Sequence, residues 1–522
     1  MTQIPTLTSK TSVGTPTYEY ESMVRIWKRC RAILNGELYA KEHDRYLDQV
    51  NYTNLLVPFS PRMSSEQYRW YVAEAELPGL TSQYAKILTG GLLRKPPELM
   101  LPEDAPEEAD SWLRNRFTED GRPLVAFLDA AIWEELSTSR GWVSVDFPVV
   151  PNYADLDPEQ KKMIAPYPVL WKAEDVINWQ TNIDKTTGRP ALTRVVFRYI
   201  GRTYKDSEWH PNLSIVAADH YINEQGYYTV QYYKKEGEAT VDLINGDLKM
   251  TQLFGTELFS NDHWIPDGEP ITPMMWGEPM TQLPIFPLNG EVSLEAPMLT
   301  PLIDKEIALY NKVSRRNHLM YGASTFTPVI FSDMSKEDFA SIAGAGLGSW
   351  IKLGSSDRID AFRTPTDALT DMDRAIEASL VEMTRMGVRI LAPEGDQSGV
   401  ALEIRNSSLT AQLGLLNNKL SATMAEVIKL MLRWRYGKEL DVEDLSFQLS
   451  ADFNPTPLGS EWARLVTEWY QNRLIPRSVW LSVAKQHDII PSDYDDTAGI
   501  EEIGQDPLIQ DNSGIGIDES GI

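Results

Sequence analysis

VRILAPEGDQSGVALEIRNSSLTAQLGLLNNKLSATMAEVIKLMLRW, residues 388–434, governs how the rest of the chain is read. In it Leu409, Leu413, Leu416, Leu420, Met424, Ile428 and Leu432 recur every three or four positions, one face of an α-helix sustained for about six turns. Pro393, Gly395 and Gly399 break the pattern upstream, so 388–400 reads as a loop feeding that helix. Further upstream, Leu369, Met372, Ile376, Leu380 and Met383 place a second helix over 366–386, ended by Gly387. Asp367, Asp371 and Asp373 sit in its first turns, where the helix dipole favours acids. Leu299, Leu302, Ile303, Leu309, Tyr310 and Val313 mark a third helix over 297–321, about 37 Å long at 1.5 Å per residue. The 323–364 insert between these two helices has strand-like runs at 327–331 and 350–353, a helical turn over 336–342, and Gly344-Ala345-Gly346-Leu347-Gly348. Two helices interrupted by a compact insert, then a loop feeding a longer helix, suit the lining of a passage better than the enclosure of a substrate.

Toward the N-terminus the period alternates between helix and strand. Residues 1–17 are rich in Thr, Ser and Pro and lack the basic stretch and apolar run of a secretory signal, so they read as a flexible arm. Met23, Ile26, Trp27, Ile33, Leu34 and Leu38 predict a first helix that ends near Asn35-Gly36 and resumes briefly. A longer helical stretch over 64–94 has Ser64-Ser65-Glu66 as its cap, a bend or split at Pro78-Gly79, and a stop at Lys95-Pro96-Pro97. A Pro- and acid-rich linker follows over 96–110. Leu124, Phe127, Leu128, Ala131, Ile132 and Leu136 then give a helix broken at Gly141, and 142–147 alternate as a strand. From there to about 290 the pattern is β-rich, with strands near 192–200, 220–222, 227–234 and 284–288 and a turn at Asn245-Gly246. Beyond Gly437 come a strand at 445–449 and helices at about 460–472 and 476–486. Residues 491–522 hold nine acidic residues and no Lys or Arg, a composition that cannot bury enough apolar surface to fold alone. The fold class is α+β.

At 522 residues the chain is long enough for two to four domains. No stretch approaches the roughly 18 apolar residues of a membrane span, so no membrane partner is expected. Cys30 is the single cysteine, which excludes an intrachain disulfide or a Cys-based zinc site and fits a small apolar residue in a helix. A formal net charge of −26 argues against an outside-in grip on DNA, because Lys and Arg would have to neutralise phosphates. It fits either a soluble protein or a surface past which a polyanion slides without sticking.

Sites for chemistry are few. His43, His210, His220, His263, His318 and His487 are scattered singly, without HExxH or a paired ligand spacing. No GxxxxGK[ST] is present, and Gly344, Gly346 and Gly348 lack the full GxGxxG and a strong preceding strand, so they read as a turn. Asp371 and Asp373 point about 200° apart on a helix, which suits a dipole role rather than a cation site. Ser398-Gly399 lacks the flanks of a nucleophile elbow. The expectation is a protein that is not an enzyme, with no catalytic residue, cofactor or metal. One alternative is a monomeric cytosolic enzyme with an unrecognised site.

Four strings stand out together: Ser398-Gly399-Val400-Ala401-Leu402 leading into the long helix with Asn417-Asn418; residues 83–97, closing on Gly-Leu-Leu-Arg-Lys-Pro-Pro; residues 121–148, a helix and then Trp-Val-Ser-Val-Asp-Phe-Pro; and residues 167–179, with Ala173-Glu174-Asp175-Val176-Ile177-Asn178-Trp179. None of them is catalytic; each marks a fold, and in this order the chain resembles the portal proteins of tailed double-stranded-DNA bacteriophages. A non-portal virion or scaffold protein is the remaining alternative.

The resemblance implies a wing over 18–295, stem helices at 296–322 and 366–387, and a clip at 323–365. It further implies a tunnel loop at 388–402, a long wing or tunnel helix at 403–436, a mainly helical crown at 437–490, and a tail over 491–522 that the motif match does not explain. The function it implies is a ring of about twelve copies at a capsid vertex, assembled in the bacterial host cytoplasm, through which DNA is packaged and ejected. Implied partners are the chain itself, double-stranded DNA in transit, the terminase large subunit, a head-completion or tail adaptor, and the major capsid and scaffolding proteins. Candidate DNA-facing residues of the tunnel loop are Arg389, Glu394, Asp396, Gln397, Ser398 and Arg405. On the stem they are Lys305, Lys312, Arg315 and Arg316, for which solvated or inter-subunit salt bridges are the alternative role. In the clip, Lys336, Glu337, Trp350 and Lys352 are the candidate docking residues for terminase and connector.

Overall fold

Ser64 opens the second helical stretch with a complete capping box: its hydroxyl accepts from the Gln67 N–H at 3.2 Å, and the Gln67 side chain accepts from the Ser64 N–H at 2.9 Å. The computed structural model in which this is seen describes residues 12–43, 55–148, 157, 164–183, 188–203, 209, 212–235, 264–290, 293–324, 327–331, 335, 358–362, 367–386, 399–437, 440–450, 460–472, 474–486 and 490. The chain divides into two compact units, Met1–Leu449 and Ser450–Ile522.

The first unit begins with helix α1 (Tyr18–Leu34), capped by the Thr17 hydroxyl, which accepts from the Tyr20 N–H. Its buried face carries Trp27, Cys30, Arg31, Ile33 and Leu34, and it stops at Asn35 and Gly36, whose φ is +93°. Short α2 (Glu37–His43) follows. The helical stretch after it splits as expected into α3 (Ser65–Glu74) and α4 (Leu80–Leu92), because Pro78 disfavours helix in the residue before it and Gly79 takes φ +71°.

The expected 96–110 linker holds structure that its sequence hides. β1 (Glu98–Met100) pairs antiparallel with β14 (Ser446–Gln448), and α5 (Glu108–Asn115) starts within it. Next, α6 (Leu124–Thr138) runs into a left-handed Ser139 and then Gly141, where a Cβ would lie 2.3 Å from Leu288 Cδ1. Only glycine lets the chain turn there into β2 (Trp142–Asp146).

β2 lies between β3 (Tyr167–Trp171) and β11 (Ile285–Pro287) in a three-stranded antiparallel sheet. A five-stranded antiparallel meander runs β4 (Val176–Ile183), β5 (Pro190–Thr203), β6 (Asn212–Ile222), β7 (Tyr228–Lys235) and β8 (Trp264–Pro266). The expected strands at 192–200 and 220–222 fall inside β5 and β6, 227–234 overlaps β7 shifted by one residue, and 284–288 contains β11; the Asn245-Gly246 turn lies outside the described residues. Rings join the two sheets: Trp171 to Phe197 at 4.4 Å, Phe197 to His220 at 4.9 Å, His220 to Tyr228 at 5.9 Å. A small hairpin of β9 (Met274–Met275) and β10 (Glu278–Pro279) precedes β11.

Three long helices follow: α7 (Thr300–Ser324), α8 (Asp367–Arg385) and α9 (Gly399–Tyr436). Between α7 and α8 a two-stranded ribbon pairs β12 (Thr327–Phe331) with β13 (Arg358–Phe362). β12 matches the expected strand, whereas β13 was not foreseen; the expected elements at 336–342 and 350–353 lie outside the described residues. α9 begins at Gly399, inside the stretch read as loop to 402, and Arg405 lies in the helix, as the 403–436 reading has it. The second unit contains a helical pair, α10 (Ser460–Gln471) and α11 (Arg477–Gln486), joined by stacking of Tyr470 on Trp480 at 5.4 Å. Helices and antiparallel sheets together make the chain α+β. Among the described residues no helix is long and apolar enough to cross a membrane.

Candidate functional site: the antiparallel helix pair and the long helix

α8 turns one stripe inward, Leu369, Met372, Ile376, Ser379 and Met383, while the residues between are exposed. Against it α7 presents three cations. Lys305 Nζ donates to Glu382 Oε1 at 2.5 Å, Lys312 Nζ donates to Ser379 Oγ at 2.6 Å, and Arg316 Nε donates to Asp373 Oδ1 at 2.8 Å. The α8 partner number falls as the α7 number rises, so the helices run antiparallel. The hydrogen bond from Lys305, helped by its charge, holds the Glu382 carboxyl below the usual carboxylate range.

Glu306 fixes the base of α7. It is fully buried, and its two carboxylate oxygens accept from Leu80 N at 2.8 Å and Thr81 N at 2.7 Å, capping α4, whose own N-cap, Gly79, has no side chain. Asp304 pairs with Arg29 at 3.1 Å, and one turn above Glu306 the Asn311 amide donates to Leu55 O at 2.6 Å and accepts from Val57 N at 2.8 Å. One feature pointed to Glu306 in the sequence: it is an acid on the apolar stripe of its helix, which requires a partner.

The long helix carries a second buried polar contact. Asn417 Nδ2 donates to Leu449 O at 3.0 Å, Ser421 Oγ donates to Asn417 Oδ1 at 2.9 Å, and Leu449 N donates to Ser421 Oγ at 3.0 Å. Both main-chain groups of Leu449 are thereby satisfied just past β14. At the far end, Trp434 stacks on Phe147 at 5.6 Å and Arg435 lies over Trp112 at 4.3 Å.

The strongly shifted titratable groups lie elsewhere, in the core under α1 and α6. Arg31 grips two carboxylates in forked fashion: Nη1 and Nη2 reach Glu134 at 2.9 and 2.7 Å, and Nε and Nη2 reach Glu174 at 2.9 and 2.7 Å. Beside them burial pushes Glu135 up to about 8, against the pull of the Gly141 N–H that donates to it at 2.8 Å. Burial and the Glu174 charge raise Asp175 to about 6. Burial alone lowers His220 to about 3, leaving it a neutral partner of the Tyr228 hydroxyl at 2.7 Å. The Arg31, Glu134 and Glu174 side chains satisfy one another, an arrangement that holds α1, α6 and the 173–175 turn together. Among the described residues no group of three or more His, Cys, Asp or Glu could hold a metal ion.

Of the four stem cations that the sequence offers for phosphate contact, Lys305, Lys312 and Arg316 are engaged by α8 of the same chain, and Arg315 lies beside Tyr71 of α3. The structure brings those cations to Glu382, Ser379 and Asp373 of α8 and to α3, not to one another. Arg389, Glu394, Asp396, Gln397, Ser398, Lys336, Glu337, Trp350 and Lys352 lie outside the described residues, as does the side chain of Arg405.

No protein-family model matches the chain, and no curated protein matches it. Among solved structures, the neck of a native GTA particle, computed with C12 symmetry, is similar at a TM-score of 0.32 and 10% identity, covering 81% of this chain and 92% of that one. That degree of likeness carries no function across.

Proposed function

We propose that this chain is a non-enzymatic structural subunit of a phage virion, a portal whose copies close into a ring of about twelve around a passage for double-stranded DNA. The observation that carries the reading is the antiparallel pair α7–α8, rods of 25 and 19 residues with a β-ribbon between them in the chain, followed by a 38-residue helix. That is the order of stem, clip, stem and tunnel helix implied by the resemblance of residues 83–97, 121–148, 167–179 and 398–418 to portal proteins. Charge supports it too. A chain at −26 repels phosphates, and cations already bound by their own neighbours do not hold a duplex that has to keep moving.

In this reading the ring nucleates capsid assembly with the major capsid and scaffolding proteins, docks the terminase at the clip, and later holds the adaptor and tail. ATP hydrolysis belongs to the terminase. The test is imaging of the purified full chain together with native mass: a ring with a central hole near twelve subunits is expected. A 59.1 kDa monomer at micromolar concentration across several salt conditions would sink the proposal.

A further inference from the structure

A cleft of about 680 Å³ opens between α3 and the C-terminal half of α7. Its floor is a rigid aromatic cluster: the Tyr71 and His318 rings meet edge to face at 5.3 Å, and Phe59 packs on His318 at 4.8 Å. Trp70, 67% exposed, and Tyr321, 61% exposed, stand at its rim. Large aromatics with an arginine among them, here Arg62, are the composition on which the centres of protein interfaces are built.

Two observations identify what the cleft would hold. Arg315 hydrogen-bonds to the Tyr71 hydroxyl at the floor, which leaves the hydroxyl's own hydrogen to give, and His318 Nδ1 is buried there without a hydrogen-bond partner among the described residues, the Glu74 carboxylate being 3.9 Å away. The local charge is also opposite in sign to that of the chain. Arg62 lines the cleft and Arg315 lies beside the Tyr71 hydroxyl, with Glu74 the single carboxylate among the lining residues, on a chain whose net charge is −26. A ligand that satisfied both features would bring a planar ring for the rim and an acceptor-only anionic group for the floor.

We propose that this cleft binds a segment of a partner protein in which an aromatic residue is flanked by carboxylates. The ring lies against Trp70 and Tyr321, and a carboxylate accepts from the Tyr71 hydroxyl, from His318 Nδ1 in its N–H form, and from the Arg62 guanidinium. The proposal does not depend on ring formation.

The test uses the full-length chain and fluorescein-labelled decapeptides of Gly and Ser around a central Asp-Tyr-Asp, read by fluorescence polarisation. Saturable binding in the micromolar range is expected, weakened at least tenfold when the core is Asn-Tyr-Asn or Asp-Ala-Asp. It should weaken at least tenfold again in Trp70→Ala and in Arg62→Glu, both surface substitutions whose folding is checked by thermal unfolding. Equal binding of a Lys-Tyr-Lys peptide, or binding indifferent to Trp70→Ala, would overturn the proposal. So would binding of no peptide at all, as when the cleft is filled by this chain's own residues, or self-association through the cleft that Trp70→Ala abolishes.

Discussion

The indole N–H of Trp276 donates to the main-chain oxygen of Arg433 at 3.1 Å, tying a β-hairpin tip to the last turn of the long helix 157 residues further on. Trp276 takes φ +56° and Gly277 φ +80°, so both central residues of the two-residue loop between β9 and β10 are left-handed. That loop favours Asn-Gly, and a bulky side chain there carries strain of order 1–3 kcal/mol that the fold elsewhere must offset. Trp276→Asn therefore separates turn from latch. The hairpin should persist, while amide exchange at Arg435, Tyr436 and Gly437 should speed by about fivefold to tenfold, the loss of about 1 kcal/mol of hydrogen bonding. Unchanged exchange at those three amides would show that the indole contact holds nothing.

Glu306 supplies the N-terminal cap of α4 from 225 residues away. Glu306→Ala would leave two donors without an acceptor, Thr81 N in the buried interior, and is expected to cost about 2–4 kcal/mol. Glu306→Gln retains one acceptor and should cost about half as much. Denaturant midpoints at constant slope provide the measurement, and equal losses for the two variants would mean that the side chain acts by volume alone.

Glu135 should make the chain less stable as pH rises. Its folded pKa, about 8, lies above the 4.5 of the unfolded carboxyl, so the folded state holds a proton that the unfolded state releases. The contribution is complete below about 4.5 and is lost as pH rises through 8. Asp175, at about 6, behaves the same way at lower pH, and His220, held neutral at about 3 against 6.5 when unfolded, adds only the tail of an opposite slope between 6.5 and 8, so the difference between the wild type and a Glu135 variant in that window reports Glu135. Stability should fall there by about 2 kcal/mol from this group, and Glu135→Gln, which keeps the acceptor for Gly141 N–H, should remove that slope. Parallel pH profiles for the two proteins would assign the titration to another group.

The α7–α8 ion pairs give a test of what the cations are for. Exposed pairs are screened by water and contribute little, so Lys305→Glu with Glu382→Lys should leave the thermal midpoint close to that of the wild type. On the proposed portal reading, if Lys305 serves α8 and not phosphate, particles carrying the swapped pair should package DNA normally, while Lys305→Glu alone lowers stability slightly. A packaging defect in the stable double variant would return Lys305 to the role of phosphate contact.

Periodicity made legible what periodicity governs. The stripe from Leu409 to Leu432 marked α9, and Ser64-Ser65-Glu66 marked the start of α3, because each signal lies within a few residues of the element it reports. β1 and β13 escaped for the opposite reason. Glu98–Met100 is three residues long, and its only justification is Ser446–Gln448, far along the chain. Arg358–Phe362 alternates too briefly to stand out before β12 is seen beside it. The helix pair could be read from spacing, but not the destination of its cations: the sequence shows that Lys312 is charged, not that Ser379 of the next helix receives it. Glu306 lay between these cases, visible as an anomaly on an apolar stripe but with no indication of the two amides it serves.

Leu449 is the last residue of the first unit, and Asn417 and Ser421 together grip both of its main-chain groups. β14 has only three residues paired with β1, a ladder too short to resist fraying from its open end by itself. With both main-chain groups of Leu449 fastened to α9, fraying cannot start there without also breaking two buried side-chain bonds, so the strand's end is as firm as the helix that holds it.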